Sequence, residues 1–343
     1  MAKVVLQNGR AVGDYECPYV IAEVNSSHNG NVETAKKMIA AAAEIGCDCV
    51  KFQSWSAESL YSKSFYGNNL IARRIVEKFS LSEDQLVEMS EYCTELGVSF
   101  SSTPYSRREV DSLITRCHVP YIKVASMDIN NYGYLRYIAE KGVPIVLSTG
   151  MAEIEEIKKA VKVIEDTGNR QIILLHCISI YPAEPETIHL NNILGLREMF
   201  PDYPIGFSDH TLGTEMAAAA TALGAAVIEK YLTLDQSKMG MDNNMATEPD
   251  EFALMIRGCK NVYKAMGRKE RVVSEQELIQ RKKMRRSIVS TRFIKAGEML
   301  SAADMDVKRP GDGIPPQKIG ELIGKKVNRD IEEDTQILQQ DIV

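Results

Sequence analysis

No stretch of the 343-residue chain approaches the ~18 consecutive apolar residues that a membrane helix needs, which argues against a helical span. The N-terminal MAKVVLQNGRAVG has no apolar core and is not expected to act as a signal peptide. The cysteines, at 17, 47, 49, 93, 117, 177 and 259, are odd in number and contain no CxxC. They do not form a disulfide framework and are expected to be reduced thiols, mostly in the core, as in a cytoplasmic protein. Neither sign of charge dominates. Lysine plus arginine is 41 and aspartate plus glutamate is 47, a net charge of −6. That balance speaks against a nucleic-acid or anionic-membrane footprint. With 22 glycines and 12 prolines, low-complexity and collagen-like architectures are also excluded. No GxGxxG follows the first apolar run, and no GxxxxGK[ST] or HExxH occurs.

What is present is a repeating unit. Short apolar runs, each ending in polar residues, alternate with amphipathic helical stretches. The runs are 19–23, 49–53, 98–102, 121–125, 144–148, 171–176, 204–207 and 226–229. The first helix is expected from Asn31, as cap, to Gly46. Others are expected over 82–96, 153–166 and 214–223, and Ser54–Ser80 reads as a longer connection. Eight strand–helix units between residues 19 and 266 fit a (β/α)8 TIM barrel, with an open doubly wound sheet as the rival.

The composition shifts near Gly267. The spacing predicts a barrel domain over 1–268, a basic linker or helix over 269–284, and a small, mostly-β domain over 285–343.

In a barrel of this kind the active site lies at the C-terminal ends of the strands. The polar residues expected there are Glu23, Lys51, Gln53, Thr103, Lys123, Ser126, Ser148, Thr149, His176, Ser208, Asp209, His210 and Glu229. His28 is expected near the same mouth, and three histidines there raise the prospect of a metal. Lys51 and Lys123 lie inside apolar strands, where a lysine needs an anionic partner. Three readings stay open on the residues alone. The lysines could hold a phosphate or carboxylate ligand, they could pair structurally with Glu23 and Glu229, or one could be a Schiff-base nucleophile.

Several segments carry a resemblance. IAEVNSSHNG at 21–30, VKFQ at 50–53, STPYS at 102–106, YIKVASMDI at 121–129, LSTGMA at 147–152, LLHCISIYP at 174–182 and GFSDHTLG at 206–213 occur in that order. VKRPGDGI at 307–314 and LIGKKV at 322–327 follow in the tail. The set resembles the sialic acid (nonulosonate) synthase family with its C-terminal antifreeze-like domain. The resemblance implies condensation of phosphoenolpyruvate with the aldehyde form of an N-acetylated hexosamine, giving a nine-carbon 2-keto acid and phosphate.

By position, the resemblance implies that Lys51, Thr103, Lys123, Ser126 and Ser208 bind phosphoenolpyruvate, with Glu23 and Glu229 among the catalytic groups. It implies that Gln53, Tyr181, Asp242 and Arg309 face the sugar. It also implies a divalent ion, manganese or magnesium, at His210 and Tyr231, and a domain-swapped homodimer in which Arg309 reaches the partner's site. The chain departs from the family pattern at Ser27, Ser179, Tyr231 and Asn243. Tyr231 stands where a second histidine ligand is usual. A non-catalytic paralogue and a Schiff-base aldolase are the alternative readings.

Overall fold

The computed structural model describes every residue except Met239 and Met241; the latter belongs to the GMDN segment at 240–243. The chain divides into two compact units, Met1–Gly267 and Arg268–Val343.

The first unit is built on eight parallel strands: β3 (Tyr19–Glu23), β4 (Cys49–Gln53), β5 (Ser99–Thr103), β6 (Ile122–Val124), β7 (Ile145–Ser148), β8 (Ile172–Cys177), β9 (Ile205–Asp209) and β10 (Val227–Tyr231). They lie in the order β5-β4-β3-β10-β9-β8-β7-β6. The end strands β5 and β6 are adjacent, which closes the sheet into a barrel. This agrees with the expected architecture and excludes the open sheet. Strand ends move by a few residues from the sequence expectation, because apolar patterning does not mark where a strand's last hydrogen bond falls.

Each strand alternates between two environments. One set, including Ile21, Cys49, Tyr121, Val146, Ile173, Leu175 and Val227, fills the barrel interior. The other set packs outward against the helices, as Val20, Ala22, Val50 and Leu174 do. The helix Val32–Glu44 shows how that outer layer forms. Asn31 accepts a hydrogen bond from the Thr34 amide at 2.8 Å and caps the start. Ala35, Met38, Ile39 and Ala42 form one buried stripe. Burying a side chain the size of Met38 or Ile39 contributes about 1.5–3 kcal/mol.

Two features escaped the sequence reading. A hairpin of β1 (Lys3–Val5) and β2 (Ala11–Gly13) contributes Val4, Leu6 and Val12 to the interior cluster, and so plugs the bottom of the barrel. The connection 54–80 contains three helices, Ala57–Leu60, Lys63–Asn68 and Leu70–Phe79. Among the described residues no helix is long and apolar enough to cross a membrane. All seven cysteines are free.

The second unit begins with a helix, Glu275–Met284, capped by Ser274. An antiparallel pair follows, β11 (Ser287–Ser290) and β12 (Met305–Lys308), with Ile288 opposite Val307. Its own core holds Ile288, Ile294, Leu300, Met305, Ile314, Leu322, Val327, Ile331 and Ile337. In this unit, expected to be mostly β, the KVNRDI stretch at 326–331 makes only isolated bridges at Lys326, Val327 and Ile331.

Candidate active site

The strand register brings the charged residues together. Glu23 on β3 lies opposite Lys51 on β4 and Tyr231 on β10, while Glu229 lies opposite Ser208 on β9. These side chains line a cavity of about 370 Å³ at the C-terminal end of the barrel. A larger space, about 680 Å³, lies among the outer helices and the segment 54–59. Its arginines are already paired, Arg108 with Glu83 at 2.6 Å and Arg116 with Asp84 at 2.6 Å.

At the floor of the mouth two ammoniums meet two carboxylates. Lys51 is buried, pairs with Glu23, and lies 3.6 Å from Glu229 Oε2. It also donates to Thr103 Oγ1 at 3.2 Å. Lys123 Nζ donates to Ser148 Oγ at 2.7 Å and lies 3.8 Å from Glu229 Oε1. Ser208 Oγ donates to Glu229 Oε1 at 2.9 Å. Burial lowers the Lys51 ammonium to about 8; Glu229 opposes that shift, and the like charge of Lys123 adds to it. Burial would raise the Glu229 carboxyl, but Lys123 and Lys51, with the Ser208 hydroxyl, outweigh it and hold it below the usual range. The four groups sum to zero formal charge. The pairing foreseen as one reading of the lysines is made by the same groups that line the cavity.

Polar neighbours surround this core. Ser126 Oγ accepts from the Gly150 amide at 3.0 Å and lies 3.2 Å from Cys177 Sγ. A Cβ at position 150 would meet Ser126 Oγ at 2.8 Å and Cys177 Sγ at 2.9 Å, and Ser179 Oγ closer still, so only glycine fits. Gln53 accepts from the Tyr105 hydroxyl at 2.8 Å.

Higher in the mouth stand Tyr181, His210 and Tyr231. The Tyr181 and His210 rings are 4.4 Å apart, and His210 and Tyr231 are 5.6 Å apart. His210 Nδ1 donates to the Ile178 carbonyl at 2.7 Å, which leaves a lone pair on Nε2. Burial lowers the His210 imidazole and keeps it neutral. Burial also pushes the Tyr231 phenol well above its ordinary value. Asp242, whose carboxyl burial raises to about 6, receives a hydrogen bond from Asn25 Nδ2.

Four residues expected at the mouth do not line the cavity, His28, Thr149, His176 and Asp209, and Thr149 Oγ1 donates instead to the Leu175 carbonyl at 2.9 Å. His28 and His176 do not reach the mouth. His28 Nδ1 accepts from the Gly30 amide at 3.0 Å, and burial holds its imidazole at about 4. His176 donates to the Ile188 carbonyl at 2.7 Å and stacks on Phe207 in the outer layer. Strand alternation explains His176, since its neighbours Leu175 and Cys177 take the inward positions. Asp209 likewise points away from the cavity, pairing with buried Lys230 at 2.8 Å. Arg309 lies in the second unit, exposed, directly after β12.

The donor set does not fit a metal held by the protein. Among the described residues no group of three or more His, Cys, Asp or Glu could hold one. Beside carboxylates already paired with Lys51, Lys123 and Asn25, the mouth offers one imidazole nitrogen and a neutral phenol, a poor ligand for a divalent ion. Sequence reasoning missed Asn25, Trp55, Tyr61 and Tyr105, which also line the cavity. Asn25 and Tyr105 were visible only as members of longer segments, with nothing in the residue type to mark them.

The NeuB family model matches residues 38–271, and the SAF domain model matches 285–343. The chain is 34% identical to human N-acetylneuraminate-9-phosphate synthase over 97% of this chain and 94% of that protein. It is 33% identical to N,N'-diacetyllegionaminic acid synthase of Legionella pneumophila, over 94% of each. The crystal structure of the spore coat polysaccharide biosynthesis protein SpsE from Bacillus subtilis superposes with a TM-score of 0.71 at 32% identity, covering 100% of this chain and 99% of that one. The order of segments, the barrel and both matched regions agree, and the chain belongs to the NeuB family.

Proposed function

We propose that this protein joins phosphoenolpyruvate to the open-chain aldehyde of an N-acetylated hexosamine, forming a nine-carbon 2-keto acid and releasing phosphate. The observation that carries this reading is the convergence of Lys51, Lys123, Glu23 and Glu229 in one buried cluster beneath the cavity, in a chain of this family. The named relatives make acids of this kind.

Lys51, Thr103, Lys123, Ser126 and Ser208 then bind the phosphate and carboxylate of phosphoenolpyruvate, with charge-assisted hydrogen bonds from the two ammoniums. C3 of phosphoenolpyruvate attacks the aldehyde carbon, and the aldehyde oxygen takes up a proton. Water adds at C2 and loses a proton. The C2–O bond to phosphate then breaks, the new C2 hydroxyl gives up its proton to the departing phosphate, and the 2-keto group forms. Glu23 and Glu229 lie close enough to the lysines to move these protons. Preorganised positive charge from Lys51 and Lys123 stabilises the developing oxyanions. Gln53, Tyr181, Asp242 and Arg309 contact the sugar, and Arg309 comes from a partner subunit in a domain-swapped homodimer. The reduced thiols suit a cytoplasmic enzyme. The manganese or magnesium ion implied by the resemblance finds one imidazole at His210, with Tyr231 beside it, and no step depends on it here.

A second reading, the Schiff-base aldolase, draws on the lowered Lys51 ammonium. Borohydride trapping of substrate on Lys51 tests it.

The principal experiment measures phosphate release from phosphoenolpyruvate with N-acetylmannosamine and its 2,4-diacetamido-trideoxy relative, with manganese and with chelator. Release with a sugar and none without it is expected. No release with either sugar would overturn the proposal.

A further inference from the structure

Asn25 occupies an unusual place at the mouth. It follows β3 by two residues, is 4% exposed, and has a left-handed φ of 37°. Few residues other than glycine adopt such a conformation, and asparagine is one of them. The bend lets one residue serve two carboxylates. Its backbone amide donates to Glu23 Oε1 at 2.7 Å, and its side-chain Nδ2 donates to Asp242. Its Oδ1 is buried and has no hydrogen-bond partner among the described residues. The segment that carries it is held in place, because Gly30 sits so tightly on the Lys78 carbonyl that a Cβ would collide. Asn25, Asp242 and Glu23 all line the same cavity.

A buried acceptor without a partner is costly, and a residue that keeps one beside a binding cavity is suited to a donor on the ligand. We infer that Asn25 is a specificity and positioning residue for the acceptor sugar. Its Nδ2 orients Asp242 toward the sugar, and its Oδ1 accepts a hydrogen bond from an O–H or N–H of that sugar. This rests on the reading of the cavity as a synthase site with Asp242 on the acceptor side. Sugars lacking that donor are discriminated against, because they leave the oxygen unpaired.

The test is steady-state kinetics of the full-length protein with phosphoenolpyruvate and the two sugars named above. Asn25→Gly suits the left-handed backbone and removes both side-chain interactions. The expected result is an acceptor KM raised by about tenfold or more, with the KM for phosphoenolpyruvate and the Tm unchanged. Combined with Asp242→Asn, the two effects on the acceptor KM should be non-additive, as for side chains that share a hydrogen bond, and it is the split between the two KM values that a merely structural role would not produce. An acceptor KM unchanged in an active Asn25→Gly protein would overturn the inference alone. So would an equal rise for both substrates, or strict additivity. A wild-type protein that releases no phosphate with either sugar would overturn the synthase reading and this inference with it.

Discussion

Replacing Lys123 by methionine keeps most of the side-chain volume and removes one of the two ammoniums on Glu229. At an effective dielectric of about 20, unit charges 3.8 Å apart interact by about 4 kcal/mol. Lys51, 3.6 Å away, retains a share of similar size. In the wild type Glu229 is held low, so its stabilisation is present above the ordinary carboxylate pKa and is lost as pH falls through the folded value. In the variant Lys51 is left as the one ammonium opposing burial, so the Glu229 carboxyl moves up from its wild-type value. The Tm gap between wild type and variant should therefore be largest near neutral pH and narrow on acidification below about pH 4. Phosphate release should fall by about 100-fold or more, as for loss of one preorganised charge partner of a reacting oxyanion. Thermal unfolding followed across pH, together with a phosphate-release assay, checks both. A pH-independent Tm gap would refute the coupling argument. A loss of activity under about tenfold would refute the placement of Lys123 on phosphoenolpyruvate.

Gly150→Ala should weaken phosphoenolpyruvate binding by at least about tenfold, because the added methyl collides with Ser126, Cys177 and Ser179. Calorimetric titration with phosphoenolpyruvate reads this, and unchanged affinity would contradict it. Tyr231→His should bind manganese more tightly than the wild type, since it sets a second imidazole beside His210. Equal affinities by calorimetry would show that the phenol is not what limits metal binding. Arg309→Ala should raise the acceptor KM more than the phosphoenolpyruvate KM, and an equal effect on both would remove Arg309 from the sugar site.

Much of this molecule was legible before folding, for local reasons. Runs such as YVIAE and QIILLH are apolar on both faces, which marks strands buried between an interior and a helical layer. Asn31 and Ser82 marked helix starts because their short oxygens accept from the first free amides. Lys51 and Lys123 stood out because a lysine inside an apolar strand demands a partner. The β1–β2 hairpin was not legible, since three-residue strands leave almost no periodic signal. His28 and His176 were misplaced for a related reason. Being near the end of a strand does not say which way a side chain points, and one step along a strand reverses it.

By itself, the order of segments determined the barrel, the extra C-terminal unit and the family, because each depends on patterns that neighbouring residues carry together. Only the tertiary structure decided which partners the buried charges take. Glu23, Lys51, Lys123 and Glu229 come from four separate strands, and Asn25 meets Asp242 across 217 positions of chain. Spacing along a sequence does not encode such distances. They follow from strand register and barrel closure, which bring remote carboxylates and ammoniums into contact where water no longer screens them.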